Sequence, residues 1–320
     1  MKHTSRIIIP ALLFAAGLML AYGCKGQEQK KGIVTFTVGS VKVERPGLQP
    51  ADLKVMDRVA EKDLIVTGAA SFAVVQFSDN CVVQVQENTA FKILSADKND
   101  RDLYVREGQV LTKLMRTGDN TATVRTPTAI AAVRGTQFSV NYRQGGTQVA
   151  VSEGKVAVRA ASTDENGKAV SESREETMTA AGNTAEIIAA PGAEGKEAKP
   201  VVSVRVITEL EKQTLKKIEA VPVIPDAGKK SGQELESEVK KAIGYYPNEM
   251  QDRITKLLAK DSRSIEDIRD AFGRVDEVTL YNGRVIQGAI VTRGEQFRIL
   301  APEGMVMVPE EDIKGTTEIK

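Results

Sequence analysis

The chain has 320 residues, with 44 basic and 43 acidic side chains and a formal net charge of +1. This balance gives no electrostatic reason to expect nucleic-acid binding. The length suits two domains that can each bury a core. Tryptophan is absent and aromatic residues make up only 4% of the chain, which leaves few stacking surfaces for sugars.

The first 23 residues have the pattern of an export signal. Lys2 and Arg6 precede an apolar run from Ile7 to Leu20, and the sequence turns polar directly after Cys24. The run is short for a membrane span, which needs about 20 residues. This segment resembles a bacterial lipoprotein signal, in which the cysteine is lipidated and becomes the mature N-terminus. We therefore predict that Cys24 carries the lipid, palmitate included, and anchors the protein to a membrane.

The lipoprotein pattern is imperfect. Leucine usually stands three places before the cysteine, whereas this chain has Ala21 there, and Tyr22 is bulky. Such loose forms are similar to the signals of spirochaetal lipoproteins, and an ordinary cleaved signal peptide is the alternative. Cleavage before Cys24 removes two basic residues and no acidic one, so 297 residues remain with a formal charge of −1.

Histidine and cysteine usage limits the chemistry of the mature chain. His3, the only histidine, lies in the predicted signal. Ser-His-Asp, Cys-His and histidine-ligated zinc sites are therefore excluded, and no spacing argues for other catalysis. We predict no catalytic residue, no metal and no cofactor. With Cys24 lipidated, Cys81 is the only thiol, and we interpret it as a small apolar residue on a half-buried strand rather than a redox group.

Strand-like sequence dominates the first half of the chain. Residues 24–32 form a polar tether, and short β-branched runs separated by turns extend from residue 33 to residue 189. A strand-turn-strand unit around Glu107-Gly108 recurs 46 residues later around Glu153-Gly154. Such an echo indicates stacked or rolled β layers rather than an α/β sheet.

Two arginine-centred bends interrupt the strand pattern at Arg125 and at Arg134-Gly135. Glycine at the second bend permits a backbone angle or a close approach that a side chain forbids. The two arginines either present guanidinium groups to an anionic ligand or partner, or bond to carbonyls and to acidic residues such as Glu107 and Glu153. We favour the structural role, because unpaired arginines beside Ala-rich strands are costly, and expect Arg134→Ala to lower the thermal midpoint.

Five segments of this region resemble successive motifs of the FecR domain family. In the family's order they are FSDNC (77–81), REGQV (106–110), VRTPTA (124–129), AVRGTQF (132–138) and VSEGKV (151–156). The resemblance implies an all-β, twisted, solenoid-like periplasmic domain over residues 33–189. One departure is Asn80-Cys81, where the family often has Gly-Ser.

The best-known member of the family regulates a sigma factor that controls iron uptake. Such regulators carry a cytoplasmic anti-sigma segment and a membrane span before the domain. In this chain a removable signal precedes the domain. We therefore expect no transmembrane regulation of a sigma factor by this protein.

The second half begins with a polar, Pro/Gly-rich linker at residues 190–200. Apolar residues at helical spacing then predict a helical segment over 201–273, starting with the stripe from Val204 to Ile218 and including a helix capped by Ser264. Residues 274–320 contain the hairpin signal Asn282-Gly283 and predict a small β-barrel-like domain. This tail is similar to Sm-like or SH3-like barrels, but RNA binding conflicts with export and with the charge balance.

These features predict a mainly β, non-enzymatic protein of the cell envelope, anchored by lipid, facing the periplasm and holding a protein partner. Inner and outer membranes both remain possible locations. A periplasmic sensor or regulator of uptake, without an anti-sigma segment, is the alternative by family analogy. Glycan or peptidoglycan binding ranks lower because aromatic platforms are few.

Overall fold

The computed structural model describes residues 31–77, 80–97, 99–118, 120–188, 201–219, 221–227, 230–243, 249–260, 262–293 and 296–319. Strands predominate in these residues, so the predicted mainly β fold is confirmed. The predicted signal, Cys24 and the linker at 190–200 lie outside them.

The first part of the chain forms two layers of strands. Layer A contains, in spatial order, β4 (Arg58–Ala60), β1 (Lys31–Val38), β6 (Phe72–Phe77), β7 (Cys81–Val85), the second half of β9 (Asp100–Leu114), β12 (Gln137–Arg143), β13 (Gly146–Glu153), β17 (Asn183–Ile188) and β18 (Val201–Val206). Each of these pairings is antiparallel.

Layer B contains, in spatial order, β3 (Ala51–Asp52), β2 (Val41–Glu44), β5 (Leu64–Thr67), β8 (Thr89–Ala96), the first half of β9, β10 (Thr121–Arg125), β11 (Ala129–Val133), β14 (Lys155–Thr163) and β16 (Thr177–Ala180). The β9–β10 pair is parallel. β15 (Ala169–Glu172) pairs with the end of β14. Because its first half pairs in layer B and its second half pairs in layer A, β9 belongs to both layers.

The main core lies between the layers. Side chains alternate across each strand, so every second residue of layer B, such as Phe91, Leu103 and Val124, faces the inner residues of layer A. Cys81 on β7 is part of this core and is fully buried rather than half-buried. The two-layered, stacked arrangement is the one that the echoed strand-turn-strand unit predicts.

The chain passes from one layer to the other at glycine corners. Gly108 turns β9 from layer B into layer A, Gly135 joins β11 to β12, and Gly154 joins β13 to β14; all three have positive φ. A Cβ on Gly154 would stand 2.7 Å from the carbonyl oxygen of Gly135, and a Cβ on Gly135 would stand 2.7 Å from Cβ of Arg116. The corners are stacked so closely that only glycine fits.

The second half contains four helices in the described residues and a five-stranded sheet. The helices are α1 (Glu209–Glu219), α2 (Gly232–Ile243), α3 (Glu249–Leu258) and α4 (Ile265–Phe272). The sheet has the order β22 (Gly304–Pro309), β21 (Gln296–Ala301), β20 (Val285–Thr292), β19 (Val275–Leu280) and β23 (Ile313–Ile319). A 3₁₀ turn, Glu310–Asp312, precedes the last strand.

Two predictions for this half need correction. Residues 201–206 form β18, paired with β17, and not the start of a helix, because valines at every second position suit a sheet edge better than a helix. The C-terminal sheet is open and not a closed barrel: β22 and β23 are its two edges and do not pair in the residues described. The predicted cap is confirmed, since Ser264 and Asp267 form a capping box on α4.

The helices and the C-terminal sheet cover the outer face of layer A. A second core joins β6, β7 and β9 of that layer to apolar residues of all four helices and of β20 and β21. The side-chain amide of Gln76 donates to the carbonyl of Ile224 at 2.7 Å and accepts from its N–H at 2.9 Å. In the part of the chain that the structure describes, no helix is long and apolar enough to cross a membrane.

Candidate functional site

The outer face of layer B carries polar and charged side chains. Strand register places Leu64 beside Lys92, Lys92 beside Tyr104, and Tyr104 beside Arg125 on neighbouring strands. Directly opposite residues project from the same side of a sheet. These side chains therefore form one row across the outer face.

A loop closes one side of this row. The turn between β14 and β15 crosses Tyr104, whose hydroxyl donates to the carbonyl of Asp164 at 3.2 Å. A Cβ on Gly167 would stand 2.7 Å from Cγ of Tyr104, so the backbone of the turn lies directly against the ring. Lys92 Nζ donates to Oδ1 of Asn166 at 2.8 Å and fixes the turn from the other side. Aromatic packing and a polar contact thus hold the wall of a groove.

This groove, which we call the layer B groove, has a cavity volume of about 310 Å³. Its lining combines four cationic side chains, two acidic ones and uncharged surface; the lining residues are Glu44, Arg45, Pro46, Lys62, Leu64, Lys92, Tyr104, Arg106, Glu165 and Asn166. Positive charge is therefore in excess by two, although the whole chain is nearly neutral.

The four cations differ in what they contact. Arg45 Nε lies 3.3 Å from a carboxylate oxygen of Asp63, and Lys92 bonds to Asn166. Lys62 and Arg106 are exposed, and their side chains have no hydrogen-bond or ion-pair partner in the described residues. These two side chains can therefore form ion pairs with the carboxylates of a bound molecule.

The predicted arginine corners lie apart in the structure. Arg125 is in the row beside Tyr104, and its Nε donates to both oxygens of Asp102 at 2.7 and 3.0 Å. Its carboxylate contact is thus Asp102 rather than Glu107 or Glu153. Arg134 is exposed at the Gly135 corner between the layers, and its Nη2 contacts the carbonyl of Gly118 at 3.5 Å. The two arginines do not form a joint site.

The remaining thiol lies away from the groove, in the core. Burial raises the pKa of Cys81 to about 11, although the positive charge of Arg101 opposes this effect. The neutral thiol is a poor nucleophile and metal ligand. Groups of three or more potential metal-binding side chains are absent from the residues that the structure describes.

Sequence reasoning missed the layer B groove. Its cations come from segments far apart in the chain, and only strand register brings them together. The sole local signal was Asn166-Gly167, which predicts a tight turn but not the surface that the turn covers.

Fold and site define a two-layered β domain whose layer A face is covered and whose layer B face carries a charged groove. Residues 63–157 match the family model described as FecR protein, so the chain contains a FecR domain, as the sequence motifs predicted. The matched segment runs from β5 to the start of β14 and includes four of the ten residues that line the layer B groove, namely Leu64, Lys92, Tyr104 and Arg106.

Two crystal structures of a "putative anti-sigma factor" from Parabacteroides distasonis, at 1.65 and 2.50 Å resolution, are similar to this chain. Each shares 18% identity with a TM-score of 0.36, and the alignments cover 49% of this chain and 63% and 62% of the other. The chain thus spans less than two thirds of the length of those proteins. No curated protein matches the chain in sequence.

Proposed function

We propose that this chain is a non-enzymatic, lipid-anchored protein of the cell envelope whose FecR domain holds a protein partner at the layer B groove. The observation that supports the proposal is the contrast between the two outer faces. The face of layer A is covered by the chain's own helices and C-terminal sheet. The face of layer B carries a groove with excess positive charge.

An acidic segment of a partner protein suits this groove. Lys62 and Arg106 supply exposed cations, while the exposed Pro46 and the largely buried Leu64 add apolar surface to the lining. Such a mixture of charge and apolar area is typical of protein contacts, in which charge sets orientation and association rate. The FecR domain and the predicted signal support envelope localisation.

The proposed binding of a partner at the layer B groove is tested by purifying the tagged full-length chain after cross-linking in cells. We expect a reproducible acidic partner with the wild-type chain, and its loss in the double variant Lys62→Glu, Arg106→Glu. Arg284→Glu on the C-terminal sheet is the matched control, because this side chain is 57% exposed and lies on another surface. Equal recovery with the double variant would show that the groove is not the binding surface.

The lipid anchor has a separate test. Cys24→Ala should move the protein from the membrane fraction to the soluble fraction, because the acyl chain supplies the membrane affinity. The protein should stay in the membrane fraction when Cys81 is changed to Ala instead. Membrane retention of the Cys24 variant would contradict the anchor.

A sensor of a small anionic ligand is the second candidate, and the volume of the groove favours it. About 310 Å³ is at the lower end of the range for small-molecule sites, roughly 300–1,000 Å³. Small carboxylates or phosphates should then raise the thermal midpoint of the wild-type chain but not that of the Lys62, Arg106 double variant. A partner recovered without any such shift would favour the scaffold.

A further inference from the structure

β18 is the last strand of layer A and has an unpaired side. It pairs with β17 along its whole length, and no other strand of the described residues pairs with it. Ile207 N donates to the carbonyl of Gly182 at 3.0 Å, which continues the ladder beyond the strand. Because hydrogen-bonding direction alternates, residues 203 and 205 then point their backbone groups at β17, while Val202, Val204 and Val206 point theirs outward.

The same three valines face the core side of layer A. Val204 is opposite Ala185 and Val202 is opposite Ile187, and both partners belong to the main core. Val204 and Val206 are nevertheless 47% and 72% exposed. The edge therefore presents apolar side chains together with outward backbone groups, of which the Val206 carbonyl already accepts from Nη1 of Arg205 at 3.1 Å.

This edge lacks the features that usually prevent strand addition. Proteins protect exposed edges with proline, bulges or inward-pointing charges. β18 has no proline, its register with β17 is regular, and its one charged residue is Arg205. Arg205 points to the other side and is held by Glu186 at 2.8 Å and by both oxygens of Glu211 at 2.8 and 2.9 Å.

We propose that β18 pairs antiparallel with β18 of a second copy of this chain, about a twofold axis through Val204. This register places Val204 opposite Val204 and Val202 opposite Val206 of the second copy. Ser203 lies opposite Arg205, so no like charges meet. A register shifted by one residue toward the C-terminus would place Arg205 opposite Arg205, which is unfavourable.

Self-pairing extends layer A across both copies. The outward backbone groups of Val202, Val204 and Val206 exchange about four hydrogen bonds with the second copy, and about two more form where each Val206 carbonyl, which already accepts from Arg205, takes a second donor. Valine side chains then cover one another on the core side. The proposed contact lies on a different surface from the layer B groove and does not depend on what the groove binds.

Sedimentation velocity of the full-length Cys24→Ala chain tests the proposal, because this background removes the lipid and leaves Cys81 buried. We expect a concentration-dependent dimer. Val204→Lys should weaken the dimer by about tenfold or more, because it places a charge at the centre of the pair. Val170→Lys is the control, since Val170 is 72% exposed on β15. A monomer at all concentrations would overturn the proposal.

A cross-link tests the register and does not rely on the folding of the lysine variant. Residues directly opposite in a hydrogen-bonded pair have Cα atoms about 5.5 Å apart, which is within the disulfide range of roughly 4.4–6.8 Å. Oxidation should therefore join Val204→Cys chains into dimers, whereas Ser203→Cys should cross-link only when combined with Arg205→Cys. Equal cross-linking of the two single variants, or capture of a different protein at position 204, would exclude this register.

Discussion

At the scale of single residues, the corners show why glycine is required at Gly135. Its φ is +66°, a conformation that other residues adopt at a cost, and the neighbouring corner leaves no room for a Cβ. The sequence motif predicted a bend with a special backbone there. The motif did not predict the contact with Arg116, because only the pairing of β12 with β9 brings Arg116 to this corner.

Gly135→Ala should destabilise the protein by about 2 kcal/mol, through backbone strain and through the contact with Arg116. Gly145→Ala separates these two causes, because Gly145 also has positive φ but a Cβ there would meet nothing within 4 Å. Urea unfolding followed by circular dichroism measures both. An equal decrease in the free energy of unfolding for the two variants would show that the contact between Gly135 and Arg116 contributes nothing to stability.

The two predicted corner arginines differ in exposure. Arg134 is exposed, whereas the Arg125 and Asp102 side chains are only 23% and 26% exposed. We expect Arg125→Ala to lower the thermal midpoint more than Arg134→Ala, with a cost of up to about 1 kcal/mol. The reverse order in differential scanning calorimetry would contradict a structural role for the Arg125–Asp102 pair.

Cys81 should be unreactive in the folded protein. Burial holds its pKa near 11, so the thiolate is scarce at neutral pH. In the Cys24→Ala chain, a thiol reagent at about pH 8 should modify no cysteine until denaturant is added. Rapid modification of the native protein would indicate that the core opens around β7.

At the scale of elements, the junction between β18 and α1 is held by one carboxylate. Glu211 accepts from Arg205 and from the backbone N–H and hydroxyl of Thr208, and the N–H of Glu211 in turn donates to the Thr208 hydroxyl. The Thr-x-x-Glu spacing of a capping box was visible in the sequence. The predicted helical stripe started at Val204 and so placed Thr208 inside a helix rather than at its N-terminus. In the structure Val204 belongs to β18, and the helix begins only after Thr208.

Acid should weaken this junction. Burial alone would raise the pKa of Glu211, but the hydrogen bonds from Arg205 and Thr208 outweigh it and lower the pKa from 4.5 to about 2. A depressed pKa stabilises the fold above about pH 4.5, and this contribution is lost as the pH falls toward 2. Glu211→Gln should therefore lose less stability than the wild type between about pH 5 and pH 3.

The exposed Glu219, at the other end of α1, provides the control for this pH effect. Glu219→Gln should keep the acid sensitivity of the wild type. Unfolding free energies from urea titrations at each pH give the comparison. Identical pH profiles for the wild type and Glu211→Gln would show that protonation of Glu211 does not weaken the junction between β18 and α1.

At the scale of the whole molecule, the two halves share buried polar contacts. Arg274, with a side chain only 2% exposed, donates to the Ser71 hydroxyl at 3.0 Å and to the carbonyl of Ile290 at 2.8 Å. The Nε of Arg274 lies 3.4 Å from a carboxylate oxygen of Asp276. A second ion pair joins Arg293, the residue after β20, to Asp52 of β3. The C-terminal sheet is thus fixed to the FecR domain by charge as well as by apolar packing.

Arg274→Ala should cost roughly 3 kcal/mol, because removal of one partner leaves the Asp276 carboxylate buried without its cation. Arg284→Ala should change stability little, since Arg284 and Glu303 are both 57% exposed. Hydrogen exchange measured by mass spectrometry should show faster exchange on both sides of the contact, in β6 and in β20. Acceleration confined to β20 would mean that the halves unfold independently.

The mainly β fold and the FecR motifs could be predicted from the sequence, but the second half was treated as separate. β6 and β7 carried the missing signal: every residue from Ala73 to Phe77 and from Cys81 to Val85 is buried. A strand with no polar alternation has both faces covered. The apolar run from Ala73 to Val75 was visible in the sequence, but nothing in it identified the helices and the C-terminal sheet as the cover.

The stacked glycine corners also bear on how such a domain changes in size. Gly154 rests on the Gly135 corner, Gly135 rests on Arg116, and the Glu-Gly unit returns after 46 residues. A duplicated unit of that length would bring its own corner and its own core residues, so neighbouring turns of the chain need no redesign. Evolution can therefore lengthen or shorten this domain by whole units, whereas insertion of a few residues within a corner would break the stack.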